Sequence, residues 1–200
     1  NSRGWWQDYS DILPSWFEEY ISLEQAAVEI HGYEVQFIPG LLQTEAYARA
    51  VTLLSYSNPK EISRRVSLRM ARQARLSETK PVSLAMVLDE ATLSRPIGGS
   101  SVMRTQLKHL IELAERPNVT IQILPFEAGG HAAAGGPFSV LHFAEKDLSD
   151  VVYLEQLATA QYLEKPDMVR RYRAVIERLR LEAATPEDSL SQLHARLSDI

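Results

Sequence analysis

The stretch LPFEAGGHAAAGGPFSVLHF, residues 124–143, sets His131 among glycines and alanines. Small residues let backbone come close to a ligand, and an imidazole among them can act as a polar tip or as a base. Nucleophilic catalysis asks for more. A nucleophile elbow reads Gly-x-Ser-x-Gly, and the chain contains no such string. His131 also has no nucleophile near it in sequence. The segment therefore reads as a lid or contact surface rather than a catalytic loop, because long stretches of small residues in compact domains usually serve such a purpose.

Other groups carry chemistry of their own. Asp89 and Glu90 close the apolar run VSLAMVLDE, and ligands of open α/β sheets gather at the carboxyl ends of strands. Adjacent strand residues face opposite sides, so the two are poor partners for paired acid–base work. One of them is free to cap the next segment or to pair with Arg95. Arg65, Arg69 and Arg72 form a helical stripe that suits an anionic ligand or, more simply, the acidic first helix. PIGGSS, residues 96–101, reads as a turn and helix cap; its glycine spacing is not that of a P-loop and no Lys follows. The five histidines show no metal-binding spacing, so neither a metal nor a cofactor is expected. Phe126, Phe138, Tyr153 and Tyr162 bracket the glycine loop and are the expected walls of a pocket, with Glu155 beside them. The candidate ligand or partner pocket is thus Arg65, Arg69, Asp89, Glu90, Phe126, His131, Phe138, Tyr153, Glu155 and Tyr162, with no catalytic set.

These residues need elements to hold them. SWFEEYISLEQAAVEI reads as a helix with Trp16, Tyr20, Leu23 and Ala27 on one face and carboxylates on the other. HGY breaks it, and EVQFIPG reads as a short extended run. LLQTEAYARAVTLL is a second helix with Thr44 as its cap, and Pro59 opens a third with Ile62, Val66 and Met70 in a stripe. VSLAMVLDE, SVMRTQLKHLIELAERP and NVTIQILP then give strand, helix and strand, a βαβ unit with parallel strands. GPFSVLHF and DVVYLEQL form an antiparallel hairpin, and Pro166 opens the last long helix before a short terminal one. The fold class is α+β (mixed α/β): a small mixed sheet flanked by N- and C-terminal helices. The organisation is a helical part at 1–80 with one short strand, a sheet core at 81–165, and C-terminal helices at 166–200.

Composition narrows the class. Two hundred residues with 45% hydrophobic and 24% charged content suit one globular domain. With no cysteine, disulfides, thiolate zinc sites and cysteine nucleophiles are excluded. No apolar run is long enough to cross a bilayer and no signal-peptide pattern is visible, so a cytoplasmic location is expected. A net charge of −5 argues against strong nucleic-acid binding by this chain alone. No Lys or Arg falls between Arg3 and Arg49, whereas Lys60 to Lys80 is strongly basic. Such a division suggests internal pairing or contact between copies, as in a homodimer.

The order of motifs PSWFEEYISLEQAA, IPGLLQTEAYARA, RVSLRMARQARL, LDEATLSRPIGG, VTIQILPFEAGGHAAAGGPFSVLHF and VVYLEQLATAQYLE resembles one family over nearly the whole chain. The most specific pieces are the Pro-Gly-Leu-Leu-Gln-Thr-Glu-x-Tyr-Ala string at 39–48 and Leu-Asp-Glu-Ala at 88–91. The family is the C-terminal domain of unknown function of actinobacterial Xre-type helix-turn-helix regulators, which are antitoxin-like and often encoded beside a small partner protein. The resemblance implies a regulatory domain that senses a small molecule or a small neighbour-encoded protein. It would reach DNA only through a helix-turn-helix module outside this chain, since residues 1–14 are too short to hold one. Two other readings stand beside it: an antitoxin-like protein–protein module, and a hydrolase centred on His131 and Glu90.

Overall fold

The computed structural model describes residues 4–200. Among these residues there are seven α-helices: α1 (Ser15–Ala26), α2 (Glu45–Thr52), α3 (Pro59–Arg72), α4 (Ala91–Ser94), α5 (Ser100–Ala114), α6 (Pro166–Glu182) and α7 (Pro186–Ser198). Six strands of the described residues form one sheet: β1 (Glu29–Glu34), β2 (Ser83–Asp89), β3 (Val119–Leu124), β4 (Phe138–His142), β5 (Val151–Glu155) and β6 (Ala160–Leu163). Their order is β3-β2-β1-β4-β5-β6. The first three strands run parallel, and β4, β5 and β6 alternate antiparallel beyond β1. The fold is therefore the mixed α+β class, with helices at both termini, the βαβ unit β2–α5–β3 and the β4–β5 hairpin. No helix of the described residues is long and apolar enough to cross a membrane.

Local chemistry accounts for many of the boundaries. Thr44 caps α2 by accepting from the Tyr47 amide at 3.2 Å, and Asn58 caps α3 through the Lys60 and Glu61 amides. Pro59, Pro166 and Pro186 each stand in the first turn of a helix, where a missing N–H costs nothing. Ile62 and Val66 on α3 are buried against Ala48 of α2, with Met70 beside them, as the helical stripe requires.

Two expectations fail. The first helix does not run to Ile30, and HGY is not a break. Helix α1 stops at Ala26, and EIHGYE is β1, in the middle of the sheet. Gly32 is not disruptive there, and its bareness makes room for Met86: a Cβ would lie 2.8 Å from Met86 Cε and 3.1 Å from Ser139 Oγ. Ladders on both sides hold a segment that local propensity alone would end. The second miss is β6, a four-residue edge strand with a single pairing partner and little apolar alternation of its own.

Alternation along the strands sorts the core into two layers. Ile30, Leu84, Met86, Leu88, Ile121 and Leu141 pack toward α5, α7 and the N-terminal helices. Tyr33, Val87, Leu124, Phe138, Val140 and Val152 pack toward α6 through Val169, Ile176 and Leu179. Successive residues of β1 therefore serve different sides of the sheet, and that parity decides which polar groups can meet.

Candidate functional site

The PGLLQTEAYA motif builds one wall. After β1 the chain turns through Pro39 into a short 3-10 turn, Gly40–Leu42. Glutamines fasten this turn. Gln43 Nε2 donates to Ile38 O at 2.6 Å, and Gln73 Nε2 donates to Gly40 O at 2.9 Å and Gln43 O at 2.7 Å. Gln106, fully buried on α5, donates to Leu42 O and accepts from the Thr44 amide, both at 2.8 Å. Tyr47, also buried, accepts from the Ile38 amide at 3.0 Å. Backbone groups that would otherwise be buried without partners are satisfied, so the turn is rigid.

The sheet supplies the floor. Strand register sets Gly32, Ser139 and Tyr153 in one row across β1, β4 and β5. Further along, Glu34 ends β1 and Glu155 ends β5, with Pro137 just ahead of β4. Two strand spacings separate the outer members of the row, about 10 Å between backbones. A cavity of about 400 Å³ lies over this row. Phe17 and Tyr20 of α1, Val51 of α2, and Arg69 and Arg72 of α3 close it from above, with the 35–41 segment at its side. Its size falls in the range of sites for small organic ligands.

The charges in the cavity are unevenly matched. Arg72 and Glu24 form a buried bidentate pair at 2.8 and 2.7 Å. Glu24 was expected among the outward carboxylates of the first helix; it is fully buried instead, because Arg72 draws it inward. Burial works against the Arg72 charge, but Glu24 more than offsets it and raises its pKa. Arg69, one turn earlier, has a different situation. It donates to Gln43 Oε1 at 3.0 Å and has no carboxylate within ion-pair distance among the described residues. Burial first, and then the Arg72 charge, push its pKa down to about 10.

The acids lie across from it. Burial, reinforced by the neighbouring Glu155 carboxylate, pushes Glu34 up to about 8. Glu34 is thus an uncharged acid at neutral pH, with part of its surface open to the cavity. Glu155 accepts from the Tyr153 hydroxyl at 2.9 Å, and Tyr153 stacks on Tyr20 at 4.2 Å between centroids. Burial and then Glu155 raise the Tyr153 pKa, so this phenol stays a hydrogen-bond donor.

Of the pocket residues expected from sequence, Arg69, Phe138, Tyr153 and Glu155 line this cavity. Arg65 does not. It pairs with Glu61, donates to Ile12 O at 2.6 Å and covers the Tyr56 ring at 3.8 Å. Phe126 is 60% exposed and forms no wall. Tyr162 contacts Tyr153 but donates its hydroxyl to Trp16 O, tying the edge strand to α1. Glu90 pairs with Arg196 rather than Arg95 and accepts from the Phe126 amide at 2.8 Å.

Asp89 and His131 belong to a second constellation. The Ala133 amide donates to His131 Nδ1 at 3.2 Å, which leaves the proton of a neutral ring on Nε2, 3.0 Å from the Tyr33 hydroxyl. Tyr33 in turn donates to Asp89 Oδ2 at 3.3 Å, and Asp89 Oδ1 accepts from the Ala91 amide at 2.9 Å. Tyr33 and Asp89 occupy the strand positions that face α6, so they are on the opposite side of the sheet from Glu34. The chain fastens the glycine loop to the ends of β1 and β2. Residues 132–137 of that loop line a smaller cavity of about 290 Å³ against Met168, Arg171, Tyr172 and Val175 of α6. Pro137, Phe138 and Glu155 border both spaces.

Sequence reasoning missed Glu34, Tyr20, Phe17 and Gln43. A signal for Glu34 was present: with the strand placed at 29–34, Ile30, Gly32 and Glu34 share one face, and a carboxylate on a core-facing position calls for a reason.

A family model described as Domain of unknown function (DUF5753) matches residues 17–195. No curated protein and no solved structure matches the chain.

Proposed function

We propose that this chain, which belongs to the DUF5753 family, is the effector-sensing domain of a transcription regulator and that the 400 Å³ cavity is its effector site. The observation that carries the reading is the cavity's polar lining: among the described residues, Arg69 on the helical side and Glu34 and Glu155 on the sheet side all face the cavity and none of them forms an ion pair. Arg69 and Glu34 are half-buried and Glu155 is exposed at the cavity, so a ligand can reach all three and complete them. The resemblance of the motifs to the C-terminal domains of Xre-type helix-turn-helix regulators supports a regulatory use. A ligand joining Arg69 on α3 to Glu34 and Glu155 on the sheet would fix the helical layer against the sheet. That shift in shape, or in the arrangement of a homodimer, would be passed to DNA-reading modules.

Ligand-observed NMR tests the site. A fragment library of neutral, anionic, cationic and zwitterionic molecules is screened on the wild type and on Val51→Phe and Ser139→Leu, which narrow the cavity from opposite sides. Hits lost in variants that keep their melting temperature support the reading. A screen without any such hit sinks it.

One observation favours a second reading, an antitoxin-like partner module. Leu53 and Leu54 are 56% and 66% exposed beside Tyr56 in the link between α2 and α3. Under that reading, Leu53→Asp with Leu54→Asp abolishes partner docking and leaves cavity ligands untouched. The hydrolase reading has no comparable support, because His131 and Glu90 are engaged by different partners and do not meet.

A further inference from the structure

The distribution of charge in the cavity says what kind of molecule completes it. On the helical side there is one guanidinium, Arg69, whose only polar partner among the described residues is the neutral Gln43 amide. Its neighbour Arg72 is committed to Glu24 and contributes no free charge. On the sheet side there are two acids, Glu34 at the end of β1 and Glu155 at the end of β5. Aromatic side chains, the stacked Tyr20 and Tyr153 among them, line the same cavity.

We propose that the cavity binds a small zwitterion of amino-acid or dipeptide size, with its carboxylate on Arg69 and its ammonium between Glu34 and Glu155. The proposal rests on the effector-site reading above and narrows it to one ligand class. A simple anion satisfies Arg69 but brings a second negative charge beside Glu155. A simple amine satisfies the acids but leaves Arg69 with only the neutral Gln43 amide. A neutral aromatic fills the volume and satisfies neither end. Only a molecule with both charges matches every group. A guanidinium meets a carboxylate through parallel hydrogen bonds, and an ammonium suits paired carboxylates flanked by aromatic faces. Glu34 fits this role as well. Kept neutral by burial and by Glu155, it gives up its proton once an ammonium supplies the missing positive charge.

The experiment is isothermal titration calorimetry on the full chain with a matched panel: L-leucine, L-phenylalanine and the dipeptide leucyl-phenylalanine, each also as its N-acetyl and its methyl ester derivative. Acetylation removes the ammonium and esterification removes the carboxylate, while the body is kept. At least one unmodified member is expected to bind, and either modification is expected to weaken it roughly tenfold or more. In Arg69→Met the ester is expected to bind as well as the free acid. In Glu34→Gln the penalty for acetylation is expected to shrink. Melting curves of both variants establish that they are folded.

If the N-acetyl compounds bind as tightly as the free amines, the sheet acids take no part and the zwitterion class is wrong. The class is equally wrong if the esters match the acids. If no panel member binds although the fragment screen finds cavity ligands, the class fails and the effector site survives. If neither finds a ligand, the effector site fails with it.

Discussion

Replacing Glu34 by Gln should make the protein more stable at neutral pH, although it removes a native side chain from the cavity lining. Glu34 titrates near 8 in the folded chain and near its ordinary 4.5 once unfolded. Below about pH 4.5 both states hold the proton and the group contributes nothing to the difference. As pH rises toward 8, the unfolded chain gains by releasing the proton while the folded chain retains it. Stability is lost progressively through that window. At pH 7 the interval above the unfolded value is about 2.5 pH units, or about 3 kcal/mol at most at 1.36 kcal/mol each. Glutamine copies the shape and hydrogen-bonding capacity of the protonated acid and cannot ionise, so the loss disappears. For a domain of this size the gain corresponds to roughly 6–12 °C in melting temperature. The assay is urea denaturation of both proteins at about pH 4 and about pH 7. The expected outcome is matching curves at the acidic pH and a clear gain for Glu34→Gln at the neutral one. An offset of equal size at both, or a less stable variant at pH 7, would refute the burial of an uncharged acid.

Three contacts elsewhere in the fold set further tests. Glu24→Leu alone strands the Arg72 guanidinium in the core and should cost about 3–5 kcal/mol, whereas Glu24→Leu with Arg72→Met should recover most of that in denaturant midpoints. Gln106→Ala leaves Leu42 O and the Thr44 amide without their buried partner, and a loss of about 1–3 kcal/mol is expected by thermal unfolding. Tyr33→Phe cuts the link between His131 and Asp89, so amide hydrogen exchange should speed up across residues 130–136 and hold steady in β1 and β2. Unchanged exchange in that loop would mean the hydroxyl does not fasten it.

Much of the fold was legible because its signals are local. Capping at Thr44, the prolines that start helices, the α3 stripe and the apolar β2 and β3 runs each depend on residues close in sequence. What was not legible depends on partners far along the chain. Gly32 reads as a breaker until Met86 and Ser139 are seen to occupy the space above it. Glu24 reads as solvated until Arg72 is placed opposite, 48 residues away. The candidate pocket suffered most, because a shift of the strand frame reverses which residues face each layer. Taken as extended from residue 34, the chain would turn Glu34 outward beside Gln36. Once β1 is seen to end there, Glu34 joins Ile30 on the face beneath the helices.

That parity also answers the question raised by the glycine loop. His131 cannot serve the charged cavity, because Tyr33, which it meets, points the other way from Glu34, the next residue along. Its role is to hold the loop at the ends of β1 and β2. Downstream, residues 132–137 form the wall of the smaller cavity and deliver Pro137 and Phe138 to the border of the larger one. The small residues are what allow this: Gly129 and Gly136 have positive φ values of 70° and 90°, which side-chain-bearing residues rarely adopt. The loop is thus a partition pinned at one end by an imidazole and shaped at the other by glycine. A ligand that moved Pro137 or Glu155 on one side of the sheet would be felt by α6 on the other, which would give the proposed sensor a physical route from its cavity to the opposite layer.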